Sequence, residues 1–288
     1  MGIFLALIAF LGWGTGGLFS TLTSRKFGSV KALFWQLLFT SIIAGIYIPF
    51  APQLHDGRII VIAVILAFIN LLGFLSWFKG VTLSNPSLVT SISYGFPAVS
   101  VILSLIFLNE KVTLFQLLVI VFMFIGIFLI LFKFSDIKNL QFKNIAKDKG
   151  LLLAILSMFL FGIYGAFVKI PASVIGWFWP IYFFDLMFIV LFIYALVSKV
   201  DLKLNLKKDK IYIFFIFLSL LCETSAQFAY SAGVIIDKVS LVAPITGSAP
   251  VLLVILTRII FKEKISKQQT YGIIITLLGI IFLSLSSI

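Results

Sequence analysis

Acidic residues are scarce in this sequence, with ten Asp and Glu among 288 residues against 22 Lys and Arg. Cysteine and histidine are scarcer still, with one of each, Cys222 and His55. A lone cysteine excludes an intrachain disulfide, and a lone histidine excludes a His-rich metal site. The chain also lacks a nucleophile with a histidine base, so an integral-membrane enzyme ranks low and no metal or cofactor is expected. The phosphate-binding pattern G-x-x-x-x-G-K-[ST] is absent, which argues against ATP-driven work by this chain alone. Gly12, Gly14 and Gly17 do spell G-x-G-x-x-G. However, no strand precedes them, and the first acid, Asp56, lies far beyond the usual spacing of about 20 residues. Close helix packing through Gly12 and Gly16 is the better reading.

Charged residues of both signs make up only 11% of the chain, whereas apolar residues make up 62% and the mean hydropathy is +1.22. A soluble globular chain averages about 45–50% apolar and about 25% charged. The solvent is therefore lipid, where only helices and closed barrels satisfy every backbone hydrogen bond. A barrel would alternate over roughly ten-residue strands. Apolar runs here lack that alternation and approach the roughly 20 residues that a spanning helix needs. They fall near 3–22, 30–50, 59–79, 86–108, 113–133, 150–170, 178–198, 211–232, 239–261 and 269–287, predicting ten helices. The first run has the length of a span, and no basic region precedes it, so no cleavable signal peptide is expected. The formal charge of +12 lies in the gaps between runs, which reads as a topology signal and not as a nucleic-acid surface. Loops after odd-numbered spans hold 18 Lys and Arg, and loops after even-numbered spans hold 4. That asymmetry favours both termini outside the cytoplasm.

The chain repeats itself. Offsetting it by 153 aligns Gly80 with Gly233, Pro97 with Pro250, Glu110-Lys111 with Glu263-Lys264, Gln116 with Gln269 and Gly126 with Gly279. From 80 to 131, 17 of 52 aligned pairs are identical, and shared apolar composition does not explain aligned Gly, Pro and Glu-Lys positions. The expected division is a first five-helix repeat at 3–133, a basic connection at 134–149 and a second repeat at 150–287. A unit of five spans crosses an odd number of times, so the second copy enters from the opposite side. Such inverted repeats are common in secondary transporters, with the substrate site at the repeat interface.

The repeated segment Gly80-Val81, Ser87-Leu88-Val89, Pro97, Glu110-Lys111 and Gly126 resembles the EamA-type repeat of the drug/metabolite transporter superfamily. Gly12-Trp13-Gly14 resembles that repeat's opening. Where many relatives carry an Arg in the second helix, this chain has Phe34-Trp35-Gln36. The resemblance implies a ten-helix secondary transporter for a small metabolite, amino acid, sugar derivative or cationic compound. It would be driven by a proton gradient or by exchange. It further implies residence in the plasma (inner) membrane of a prokaryote, as a monomer or homodimer, with cytoplasmic termini. The alternative class is a membrane-embedded accessory or scaffold protein that transports nothing.

Acids within spans are costly, and intramembrane ionisable groups default to function. Two stand out, Asp185 and Glu223, at matching distances from the loop 199–210. They are expected to form a substrate-binding or proton-coupling pair that titrates jointly. Gln227 follows Glu223 by one helical turn. The repeat aligns Asn70 with Glu223 and, at an offset of 149, Gln36 with Asp185, so neutral amides stand in the first half where acids stand in the second. Trp13, Trp35, Trp77, Tyr94, Tyr164 and Tyr230 are candidates to line a cavity, although packing is the commoner role for any one aromatic. Ser87 and Ser91 share a face with Tyr94 on the fourth span. Pro97 and Pro250 read as mid-helix kinks, either gating a pathway or merely tolerated.

Overall fold

The computed structural model describes residues 1–84, 86–131, 148–205, 207–261 and 266–286. Helix accounts for 84% of the described residues, which contain no strand. The first five-helix set comprises α1 (Gly2–Phe27), α2 (Ser29–Gly45), α3 (Gly57–Leu83), α4 (Pro86–Ser93 as α4a, Phe96–Phe107 as α4b) and α5 (Leu114–Leu131). In the second set, α6 is split into α6a (Lys149–Phe167) and α6b (Lys169–Ile175), and α7 into α7a (Phe178–Asp185) and α7b (Phe188–Val197). It continues with α8 (Lys210–Ile236), α9a (Val239–Thr246), α9b (Ala249–Phe261) and α10 (Lys267–Leu285). Among the described residues, nine helical spans are at least 18 residues long and apolar enough to cross a membrane, and the apolar α2 has 17 residues. Large apolar side chains such as Ile65, Leu118, Ile193 and Ile281 point outward, which suits a lipid solvent and no other. Most of the basic connection 134–149 and the Glu263-Lys264 pair lie outside the described residues.

The two sets are inverted repeats, and their packing has matching symmetry. Helix α1 lies along α8 as α3 lies along α6; α2 meets α8 as α7a meets α3; α9b meets α1 as α4b meets α6; α5 pairs with α10. Exchanging the halves maps each contact onto its mate. Glycines make the close approaches possible. A Cβ on Gly12 would lie 2.5 Å from the Cys222 carbonyl, and one on Gly16 2.5 Å from Glu223 Cγ, so α1 seats directly on the α8 backbone. A Cβ on Gly2 would lie 3.1 Å from the Gly233 carbonyl, while one on Gly150 would lie 3.0 Å from the carbonyl of Gly80, the repeat mate of Gly233. The turns from α1 to α2 and from α6b to α7a also correspond, at Gly28 (φ 82°) and Gly176 (φ 87°), where a residue with a Cβ is strained.

Both α4 and α9 break mid-membrane, at Tyr94 and Gly95 and at the aligned Gly247 and Ser248. This corrects the reading of Pro97 and Pro250 as mid-helix kinks. Each proline is the second residue of the helix that begins after the break. Its missing N–H would have had no intrahelical acceptor there, so the proline starts a helix instead of bending one. The breaks meet at the centre of the molecule, where a Cβ on Gly247 would overlap Pro97 Cγ.

One polar clamp joins the halves. Glu110, presented by a turn at Asn109 (φ 52°), accepts hydrogen bonds from Val239 N (2.9 Å), Ser240 N (2.9 Å) and Ser240 Oγ (2.8 Å), capping α9a. Lys169 Nζ pairs with the same carboxylate at 2.9 Å and also donates to the Asp237 carbonyl at 3.0 Å. Burial opposes ionisation of Glu110, but the hydrogen bonds from Ser240, Lys169 and Val239 outweigh it and hold the carboxyl below its ordinary value of 4.5. A depressed carboxyl contributes stability that is complete above the unfolded value and lost as pH falls through the folded one. Glu110→Gln should therefore cost about 2 kcal/mol near neutral pH. In thermal melts of purified protein, the gap between wild type and variant should close as pH drops below 4.5. A gap that stays constant into the acid range would mean the charge contributes nothing.

Candidate functional site

Where α1, α3, α4, α6 and α8 converge, the side chains line a pocket with about 640 Å³ of non-atom space, part of it open to solvent. The inward stripe of α8 supplies Glu223, Gln227 and Tyr230, at i, i+4 and i+7. The inward stripe of α3 supplies Asn70, Phe74 and Trp77 with the same spacing. These are repeat mates: Asn70 faces the cavity from one half as Glu223 does from the other. Helix α1 adds Trp13, α6 adds Phe161, Tyr164 and Gly165, and the α4 break adds Ser93, Tyr94 and Phe96.

Rings form one connected series around this space, with Phe96 meeting Phe161 edge-on at 6.2 Å. Trp13 packs edge-on against Phe96 at 5.9 Å and lies 5.4 Å from Tyr230, whose hydroxyl donates to the Gly165 carbonyl at 2.8 Å. Phe74 meets Phe161 at 5.0 Å and Trp77 at 6.2 Å. The polar groups are few. Glu223 is 4% exposed, and its Oε1 accepts a hydrogen bond from Ser20 Oγ at 2.7 Å, while the Tyr94 phenol is its electrostatic neighbour. Asn70 Nδ2, Gln227 Oε1 and Tyr164 Oη have no hydrogen-bond partner in the protein, although all three are buried. A buried polar atom is costly unless water or a ligand satisfies what the protein leaves open. Among the described residues, no Lys, Arg or His lines the cavity.

The structure thus brings together Trp13, Asn70, Trp77, Tyr94, Tyr164, Glu223, Gln227 and Tyr230. It sets others apart. Asp185 is buried at the end of α7a with its Oδ2 unpartnered, and its electrostatic neighbours are Tyr164 and Tyr182, not Glu223. Of the two acids expected to act as a pair, only Glu223 lines the cavity, and Asp185 neighbours it through Tyr164. Gln36 is buried on α2 and does not line the cavity. Trp35 donates from Nε1 to the Leu202 carbonyl at 2.8 Å, which anchors α2 to the loop before α8. Ser91 donates to the Leu131 carbonyl at 3.0 Å and ties α4a to α5. The side chain of Ser87 lies outside the described residues. Phe74, Phe96, Phe161 and Ser20 are site residues that sequence reasoning missed. Spacing from Asn70 and Trp77 could have found Phe74, whereas nothing singles out the other two rings among 33 phenylalanines.

Comparison with known proteins agrees with this architecture. The sequence model of the EamA-like transporter family matches residues 1–132 and 148–285. A search of curated proteins finds no match. One solved structure, described only as "Crystal structure of protein", is similar with a TM-score of 0.75 at 14% identity, covering 99% of this chain and 96% of that one. At that identity the likeness speaks for the fold alone.

Proposed function

Because this chain belongs to the EamA-like transporter family, whose members are membrane transporters of small molecules, we propose that it is a secondary carrier with Glu223 as its coupling group. The observation that carries this reading is a single desolvated carboxylate at a central cavity, held by one hydroxyl, beside three buried polar atoms without partners. A carboxylate in such surroundings needs a proton or a ligand to neutralise it. Those two occupants would exclude each other, which is the simplest basis for coupling a solute to a proton gradient. The inverted halves supply the motion. Rocking one set against the other about the crossed breaks of α4 and α9 would expose the cavity to alternate sides. A scaffold that moved nothing would not need unpartnered polar atoms at its centre.

Proteoliposomes holding a pH-sensitive dye test this directly. Outward or inward solute gradients should move protons for at least one solute class, and no solute-dependent signal from any class would count against a proton-coupled carrier. The same assay separates the two acids. Asp185 neighbours the cavity residue Tyr164 without lining the cavity itself, so Asp185→Asn should weaken apparent affinity several-fold while solute-driven proton movement survives. If Asp185→Asn abolished proton movement and Glu223→Gln did not, the coupling role would pass to Asp185.

A further inference from the structure

We propose that the cavity selects a compact organic monocation with an apolar body, its ammonium group balanced by Glu223. This deepens the carrier reading and rests on the cavity being the transport site. The argument begins with charge. Among the described residues one acidic side chain and no basic one face this space, so an anionic ligand would meet a like charge and find no counter-ion. A zwitterion could pair its ammonium with Glu223, but its own carboxylate would be left desolvated, with only neutral donors around it. A ligand of net charge +1 restores neutrality, replacing one proton by one cation.

The walls match that charge. Cations are drawn to the faces of Trp and Tyr rings, and Trp13, Tyr230 and Trp77 all line this cavity. The polar atoms then limit the rest of the ligand. Asn70 Nδ2 and Tyr164 Oη lack an acceptor, so a neutral oxygen on the ligand, a hydroxyl or a carbonyl, would satisfy what the protein leaves open. Gln227 Oε1 lacks a donor and lies one turn from Glu223, where an ammonium N–H could reach both. The other titratable groups at the cavity are the phenols Tyr94, Tyr164 and Tyr230, with Asp185 and Tyr182 beyond Tyr164. Ser20 on α1 donates to Glu223 but does not titrate.

The test compares probes of one shape with different charges: 2-phenylethylammonium, phenyltrimethylammonium, phenylalanine, phenylacetate and 2-phenylethanol. Binding to the purified full chain in nanodiscs is read by tryptophan fluorescence and calorimetry. Both cations should bind about tenfold or more tighter than the alcohol, and phenylacetate should not bind. Cation affinity in the wild type should fall as the medium is acidified, because protons compete for Glu223, while affinity for the alcohol stays constant. Glu223→Gln should remove the preference for cations and leave alcohol binding intact. The wild-type competition with protons stands on its own if that variant fails to fold. Phenylalanine or phenylacetate binding as tightly as the cations, cation binding indifferent to pH, or no cation binding at millimolar concentration would each overturn the proposal. The proton-flux assay fails or succeeds separately. Proton movement driven only by anionic or zwitterionic solutes would sink the monocation and keep the carrier. Charge-selective binding without any flux would do the reverse.

Discussion

Replacing Glu223 with Gln should leave a folded carrier whose flux no longer depends on pH. The geometry favours survival of the fold. A Gln Oε1 can still accept from Ser20 Oγ, which now bonds Glu223 at 2.7 Å, and the amide occupies nearly the same volume. The other half already holds a neutral amide at the equivalent position, Asn70, in the same cavity. The titratable charge is what disappears. In the parent, solute flux should change steeply with pH over the range where Glu223 exchanges its proton, approaching about tenfold per unit for one coupled proton. In the variant, flux should be level within about twofold across the same range, and the dye should report no solute-driven proton movement. Flux that kept the parent profile would make Glu223 a structural residue hydrogen-bonded to α1, and the coupling mechanism would be wrong.

Much of this architecture is legible in the sequence because lipid leaves the chain so few options. Span length follows from bilayer thickness. The inverted symmetry follows from an offset repeat of odd span number. The helical period places Gln227 beside Glu223, and the repeat puts Asn70 opposite. Depth along a helix axis is thus readable, but direction around the axis depends on where helices break. Asp185 shows this limit. It ends α7a, and the chain turns at Leu186 and Met187 before α7b begins. No Gly or Pro marks that turn, so counting residues along the chain could not tell that Asp185 would fall outside the cavity lining. Pro97 shows the opposite case, a visible signal with a misleading position. The interruption sits at Tyr94 and Gly95, just ahead of the proline. Tyr94, expected at the cavity, does line it, but from the break itself and not from within a continuous helix.

The crossing of those breaks is also where the largest structural effect is expected, from a single methyl group. Gly247→Ala should destabilise the protein by about 1–3 kcal/mol and depress transport together with stability. A Cβ at Gly247 would overlap Pro97 Cγ, with Pro97 Cβ at 2.8 Å and the Ala243 carbonyl at 3.0 Å. Neither side can give way easily. Every residue of α9a is buried, and Pro97 is a rigid ring at the start of α4b. Displacing Pro97 would drag Phe96, which packs on Trp13, and Tyr94, which neighbours Glu223. The cost of the methyl would therefore reach the binding cavity. Pro97→Ala alone should be mild, because the second position of a helix needs no N–H partner. In the Gly247→Ala background, however, it removes the obstructing Cγ and should restore much of the lost stability. A thermal-denaturation double-mutant cycle reads this as a coupling of the two sites. Gly57→Ala is the control, because a Cβ there meets nothing within 4 Å, and its melting temperature should match that of the wild type. If the effects of Gly247→Ala and Pro97→Ala simply added, the breaks would not be in the contact described, and rocking about their crossing would lose its physical basis.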